Sequence, residues 1–308
     1  MLNVEIKGMG TALPKKYVEF RGGRRYRISG SESHIGLLCE SAEKALTNSG
    51  MTMDDIDVII GACAVGAQPI PCTAALIHER IAGDRTIPAF DVNATCTSFV
   101  TALDIAANYI QNGRYRNALI VSGDVASIAL NENERHSFEL FADGAVSAVI
   151  SPSETSGILY VKQLTNSKGA HLTEIMGGGT SLPAFDYTLE NKHLYQFHML
   201  GKEVVALSIT LLTELFANID KNSICQLKDI DMIIPHQASS ALKLIMRKLN
   251  VPTDKYIDIT KEYGNMVSAS VPFALDYAIH TERVKRGDIV FLLGSAAGLT
   301  VNAIVMKY

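Results

Sequence analysis

The chain has 308 residues, 47% hydrophobic and 19% charged, which excludes a disordered chain and supplies one or two sizeable cores. Its 28 basic and 32 acidic residues leave a net charge of −4, so there is no broad basic field for nucleic acid. No apolar run reaches the ~18 residues of a membrane span.

In chain order, Leu37, Ala42, Ala45 and Leu46 share a helical face, and Val58–Cys63 is a short apolar run after a turn-like Asp. Phe99, Leu103, Ala106, Ala107 and Ile110 predict a second amphipathic helix, followed by a buried strand over Ala118–Ser122. Ser151–Gly157, reading Ser-Pro-Ser-Glu-Thr-Ser-Gly, interrupts the pattern and is the expected boundary between residues 1–155 and 156–308. Thr165–Tyr195 is polar and rich in Gly and Asn, a long excursion of loops over a binding region. Within it, Gly177–Gly179 fits neither a P-loop nor a dinucleotide fingerprint. Met232–Pro235 and Ile289–Leu293 are further strands, with a helix carrying Ala241, Leu244, Ile245 and Leu249 between them. Strands alternating with helices predict an α/β architecture with a mainly parallel sheet.

The chain also repeats itself weakly. Asp55–Ile60 matches Asp229–Ile234 at an offset of 174, Ala102-Leu-Asp104 matches Ala274-Leu-Asp276 at 172, and Ala118–Gly123 resembles Ile289–Gly294 at 171. Three matches in one order at nearly one offset indicate two halves built alike.

Four segments are candidates for chemistry. Cys96, in Phe90-Asp-Val-Asn-Ala-Thr-Cys-Thr-Ser-Phe99, falls at a strand-to-helix junction, where free N–H groups and the helix dipole favour a thiolate. The alternative is a cysteine that merely packs, but small polar neighbours are unusual for a core position. His236, in Ile233-Ile-Pro-His-Gln-Ala238, follows a buried strand, where α/β sheets place ligands. It reads as a general base or hydrogen-bond donor, or as a capping histidine. Asn265 projects from the turn at Gly264 and is either a site amide or a turn residue. At the repeat offset of 172, Cys96 corresponds to Ser268, so the two loops occupy equivalent places and would meet at one pocket. Gly294-Ser-Ala-Ala-Gly-Leu-Thr300 suits an oxyanion hole or a packing turn.

Cys, His and Asn in this order on a duplicated α/β chain resemble the β-ketoacyl-acyl-carrier-protein synthase III family of the thiolase superfamily. The resemblance runs over nearly the whole chain. Its marks are Gly8–Pro14, Pro88–Phe99, Phe141–Ala145, Met199–Val204, Pro235–Ala238, Tyr263-Gly-Asn265 with Ser268–Pro272, and Gly298–Thr300. It implies a thiolase-like fold of two pseudo-symmetric halves in a layered αβαβα arrangement, and a homodimer. It also implies an acyl thioester loaded onto Cys96, then decarboxylative condensation with malonyl on acyl carrier protein. His236 and Asn265 would stabilise the enolate, and the backbone N–H groups of Cys96 and Ala296 the tetrahedral oxyanion. Acyl-CoA or an acyl carrier protein would be the donor, with coenzyme A a substrate and no tightly bound cofactor. Where the family has a longer segment with a Trp near the cofactor mouth, this chain has the short Leu13–Arg27, whose Arg24, Arg25 and Arg27 are candidates for coenzyme A phosphates. Lys243, Arg247 and Lys248 are candidates for an acidic carrier-protein surface, the first two sharing a helix face.

Competing readings are an acyltransferase that moves the acyl group to an alcohol, an amine or a second acyl chain, and a non-catalytic partner subunit, although such subunits usually lose the Cys. A papain-like hydrolase lacks its flanking signature here. Five cysteines without a close pair, and an N-terminus without a signal pattern, lead to the expectation of a reducing cytoplasm. Scattered histidines lead to the expectation of no metal site.

Overall fold

The repeated apolar runs form neighbouring parallel strands in each of two sheets. The computed structural model describes residues 1–20, 23–221 and 225–308. Its first half runs β1 (Val4–Ala12), β2 (Tyr17–Phe20), β3 (Gly23–Tyr26), α1 (His34–Ser49), β4 (Val58–Gly61), α2 (Thr73–Ile81), β5 (Ala89–Asp91), α3 (Ser98–Gln111), β6 (Ala118–Asp124), α4 (Arg135–Leu140) and β7 (Gly144–Pro152). The second runs β8 (Gly157–Thr165), β9 (Thr173–Glu174), β10 (His198–Met199), α5 (Gly201–Asp220), β11 (Met232–Pro235), α6 (Leu242–Lys248), α7 (Thr260–Tyr263), α8 (Ser270–His280), β12 (Ile289–Ala296) and β13 (Thr300–Lys307).

The sheets have matching orders, β1-β7-β6-β4-β5 and β8-β13-β12-β11. In each, the strands toward one edge are parallel, with Ile59 in register with Leu119 and Ile233 with Phe291, and those toward the other edge antiparallel. The second sheet's counterpart of β5 is a single parallel bridge between Ile233 and Tyr256. Both sheets are thus mixed rather than mainly parallel, because β6–β7, β7–β1, β12–β13 and β13–β8 all pair antiparallel.

Strand alternation sorts the side chains into layers. Val58, Ile60 and Ile120 of one sheet and Ile234, Val290 and Leu292 of the other face a shared core holding α3 and α8. Ile59, Leu119 and Val121 point the opposite way, onto α1 and α2. Ile233, Phe291 and Leu293 do the same toward α5 and α6. The result is αβαβα. Close approach of α1 to β1 needs Gly10, where a Cβ would lie 2.4 Å from the backbone of Ala45 and Ser41.

The predicted helix around Ala241 differs in its buried face. The backbone stays non-helical from His236 to Ala241, so α6 starts late and turns Leu242, Ile245 and Met246 inward, leaving Leu244 40% exposed.

Candidate active site

The two halves build the same loop twice. Asn93 Oδ1 accepts the N–H of Thr95 at 2.9 Å, and Asn265 Oδ1 accepts that of Val267 at 2.8 Å. Asn93 Nδ2 donates to Ala64 O at 2.9 Å, and Asn265 Nδ2 to Ala238 O at 3.3 Å. Ser98 Oγ accepts from Ala94 N and Ser270 Oγ from Met266 N, both at 2.9 Å. In each loop the residue after next adopts positive φ, Thr95 at 49° and Val267 at 53°. Both are β-branched and strained there; the residue that follows is Cys96, on the cavity, in the first loop and Ser268, bonded to Asp124, in the second. From this scaffold the first half contributes its fourth position, Cys96, and the second its first, Asn265. The shared offset of 172 relates Asn93 to Asn265 as it relates Cys96 to Ser268, so the repeat carries the signal for Asn93 that the sequence reading did not use.

Cys96, His236, Asn265, Ala296 and Ala297 line one cavity of about 420 Å³. Cys96 lies in the 3-10 turn Thr95–Thr97 that leads into α3. Burial, aided by the charge of Asp124, pushes its thiol up to about 12, while the N–H groups of Ala297 and of Cys96 itself pull the other way. The sequence reading named Ala296 as the second N–H; the backbone N–H that reaches the Cys96 sulfur is that of the next residue, Ala297. Ala296 is the last residue of β12, in register with Thr300, and Ala297 is the first residue free of the ladder. Sequence alone does not choose between adjacent alanines.

His236 follows β11, is 5% exposed, and is pushed down to about 4 chiefly by burial. Its Nε2 lies 3.2 Å from Asn265 Oδ1 and its Nδ1 3.2 Å from Ser295 Oγ. The Val267 N–H fixes Asn265 Oδ1 as the amide oxygen, and Ala238 O fixes Nδ2 as the nitrogen. Because Oδ1 only accepts, Nε2 carries the proton of the neutral ring and Nδ1 accepts from the Ser295 hydroxyl. Gly264 sets the turn: its φ is 78°, and a Cβ there would meet Leu140 O at 2.3 Å and the Arg25 side chain at 2.6 Å.

The basic residues divide. Arg25 is 6% exposed, and its guanidinium donates to the backbone carbonyls of Glu139 (2.7 Å), Arg24 (3.0 Å) and Lys261 (3.1 Å). Arg27 donates to Phe138 O at 2.7 Å and stacks on the Phe138 ring. These two are structural braces rather than phosphate ligands, because residues more than a hundred positions away bring carbonyls to them. Arg24 is exposed and lies over Tyr17. Arg21 and Gly22, in the same segment, lie outside the described residues. Lys243 and Arg247 line one surface groove, and Lys248 does not join them. Lys243 also borders a second cavity that shares His136 and Ser240 with the catalytic one.

Asp124, which the sequence reading did not single out, is 2% exposed and accepts from Ala64 N (3.0 Å), Val65 N (2.9 Å), Ser268 N (3.1 Å) and Ser268 Oγ (2.5 Å).

Among the described residues, no group of His, Cys, Asp and Glu is placed to hold a metal, and no helix is long and apolar enough to cross a membrane.

Fold and cavity together define a thiolase-fold protein with a cysteine, a histidine and an asparagine at one site. Residues 90–167 match the family description 3-oxoacyl-[acyl-carrier-protein] synthase III, and residues 220–308 match its C-terminal part. The chain is 34% identical over 286 residues to a beta-ketoacyl-[acyl-carrier-protein] synthase III of Clostridioides difficile, covering 90% of this chain and 84% of that protein. It is 33% identical to one of Clostridium perfringens over the full length of both. The crystal structure of the 3-oxoacyl-[acyl-carrier-protein] synthase III of Aquifex aeolicus superposes with a TM-score of 0.88 at 25% identity, covering 99% of this chain and 100% of that one. The chain belongs to the β-ketoacyl-acyl-carrier-protein synthase III family of condensing enzymes.

Proposed function

We propose that this enzyme loads an acyl group from a coenzyme A or carrier-protein thioester onto Cys96 and condenses it with a malonyl thioester carried on acyl carrier protein. The observation that carries this is the buried His236–Asn265 pair in the same cavity as Cys96. In the first step the sulfur of Cys96 attacks the thioester carbonyl, and the thiol proton ends on the departing thiol. The N–H groups of Cys96 and Ala297 hold the tetrahedral oxyanion. A thiol that resists ionisation in the resting enzyme is protected until a thioester occupies the cavity.

In the second step the malonyl thioester loses CO2. The electron pair moves onto its carbonyl oxygen, where Asn265 Nδ2–H offers one hydrogen bond and His236 Nε2–H a second as it turns from Asn265 Oδ1 to the substrate. A neutral imidazole suits this role, since it donates without carrying a charge that would trap the carboxylate. The carbanion then attacks acyl-Cys96, expels the thiolate, which regains a proton, and releases a β-ketoacyl thioester. Lys243 and Arg247 are proposed contacts for the acidic carrier protein, and Arg24 for a coenzyme A phosphate. The proposal extends to a homodimer, supported by loop residues Ile70 (85% exposed), Phe185 (87%) and Leu189 (84%), large apolar groups that a second copy would cover.

The test is intact mass after incubation with acyl-CoAs, followed by a malonyl-carrier-protein chase. One acyl mass on Cys96, cleared with release of a β-ketoacyl product, is the expected result. Cys96→Ala should take up no acyl group, while His236→Ala and Asn265→Ala should load but not condense. Full condensation by either of the latter would overturn these roles.

A further inference from the structure

A separate cavity of about 380 Å³ opens at the other end of the first sheet. The catalytic residues follow the carboxyl ends of β5 and β11, whereas Asp57 and Asn117, which line this cavity, precede the amino ends of β4 and β6. Lys7, Asp55, Arg116 and Ser151 supply its other polar groups. Ser151 is 4% exposed, and its buried Oγ has no hydrogen-bond partner. A buried hydroxyl left without a partner costs stability, and few native hydroxyls are left so. Among the described residues, neither Lys7 nor Arg116 enters an ion pair. Asp57 Oδ2 accepts the N–H groups of Arg116 (2.7 Å) and Asn117 (3.0 Å), and Asp55 Oδ2 that of Thr52 (2.9 Å). The Oδ1 of each has no partner among the described residues.

The duplicated half differs at just these positions. Both edge strands carry a bulge at the same point. Lys7 is the extra residue of β1 between the pairs Ile6–Ile150 and Gly8–Val149, and Leu159 is that of β8 between Ile158–Met306 and Tyr160–Val305. A bulge re-aims its extra side chain. In the second half that side chain is apolar and packs on the outer core; in the first it is an exposed cation. Counted along the same paired strands, Arg116 corresponds to Asp288 and buried Ser151 to exposed Lys307. Asp57 keeps its counterpart, Asp231, whose Oδ2 accepts the N–H of Ile289 at 2.8 Å. The architecture is therefore built once without these cations and without a buried serine, so packing alone does not account for them.

We propose that this cavity binds a small phosphate ester that carries hydroxyl groups, a sugar phosphate or a nucleotide. Lys7, Arg116 and the Ser151 hydroxyl hold the phosphate, as a point charge, a planar fork and a neutral donor. The Oδ1 atoms of Asp55 and Asp57 accept from hydroxyls, and their charge keeps the two cations from gathering anions without discrimination. Met51 and Pro152 give the ring of the ligand an apolar wall. The volume is within the usual range of small-molecule sites. The cavity shares no residue with the catalytic one.

The experiment is calorimetric titration of the protein with ribose 5-phosphate, ribose and adenosine monophosphate, each in excess coenzyme A to occupy any phosphate contacts at the catalytic mouth. Ribose 5-phosphate should bind and ribose should not. Lys7→Ala and Arg116→Ala should each weaken binding by roughly tenfold or more, the loss of one charge-assisted hydrogen bond. Both side chains are exposed, so thermal midpoints should hold. Ser151→Ala should weaken binding several-fold yet keep or raise the midpoint of the unliganded protein, because it removes a hydroxyl that has no partner. All three variants should acylate Cys96 at the wild-type rate. Tighter binding of adenosine monophosphate than of ribose 5-phosphate identifies a nucleotide, and equal binding a sugar phosphate. The proposal is overturned if neither phosphate ester binds, if excess coenzyme A abolishes binding, or if Lys7→Ala and Arg116→Ala bind as the wild type does. A lowered midpoint in Ser151→Ala would make its hydroxyl part of the fold and count against a ligand there.

Discussion

Burial sets the chemistry open to His236. Enclosure holds its pKa at about 4, below the ordinary ~6.5 of a histidine, so the folded ring is neutral where an unfolded one begins to charge. Between those values the unfolded chain binds more protons than the native one, and stability therefore rises with pH across the window. The contribution is complete above about pH 6.5 and is lost as pH falls toward 4, to a depth on the order of 3 kcal/mol. Urea midpoints of the wild type and of His236→Gln, taken from pH 7.5 to 4 (about the range of the shift), isolate this residue from the carboxylates that titrate beside it. The wild type should lose more stability than the variant over that interval; parallel curves would show that His236 is not held neutral by burial. Cys96, His236 and Asn265 are legible in the sequence because each stands in a short local motif. Arg25 and Arg27 are not legible in the same way. A run of arginines looks like a phosphate site until the fold supplies the carbonyls of Phe138, Glu139 and Lys261.

At the level of elements, the duplicated loop separates scaffold from chemistry. Asn93 and Asn265 make the same pair of bonds, to the N–H two residues on and to a carbonyl of Ala64 or Ala238. Only Asn265 also meets His236. Asn93 is exposed, so Asn93→Ala should cost about 1 kcal/mol and slow acylation by loosening Thr95 and the thiol behind it. Asn265 is 3% exposed, and Asn265→Ala strands several buried partners, a loss of about 3 kcal/mol. The functional readouts should split as well: the first variant slows loading and still condenses once loaded, the second loads and does not condense. Measuring both half-reactions and both denaturation midpoints checks this, and a loading defect confined to Asn265→Ala would reverse the assignment. The repeat was legible from three short strand and helix matches. The offset also placed the two loops in equivalent positions, but not their shared bonding, because Asn-Ala-Thr-Cys-Thr-Ser and Asn-Met-Val-Ser-Ala-Ser have in common only the residues that hold the turn. The rotation of α6 was hidden for another reason: periodicity assumes that the helix begins where the apolar pattern begins.

Across the whole molecule, Asp124 ties the halves together at the site. It ends β6 in the first half, accepts two N–H groups from Ala64 and Val65 of that half, and accepts the N–H and hydroxyl of Ser268 from the other. Ser268 occupies the position that Cys96 occupies in its own loop, so the clamp joins the two copies of the scaffold directly behind the thiol. A buried carboxylate with four donors is held by them, and removing its charge leaves donors facing an amide that cannot satisfy them all. Asp124→Asn should therefore lower stability by about 2 kcal/mol. Its charge also raises the Cys96 thiol, second only to burial. Removing that charge stabilises the thiolate relative to the thiol, so the pH profile of Cys96 alkylation should move toward lower pH. Iodoacetamide labelling followed by peptide mapping reads this at Cys96 alone, apart from the other cysteines, of which Cys39, Cys63 and Cys225 are buried. A profile that stays in place, with stability lost, would make Asp124 a clamp without electrostatic reach to the nucleophile. A profile that moves with stability intact would make it a charge without a clamp. Both changes together are what a carboxylate shared by the two halves and adjacent to the sulfur requires.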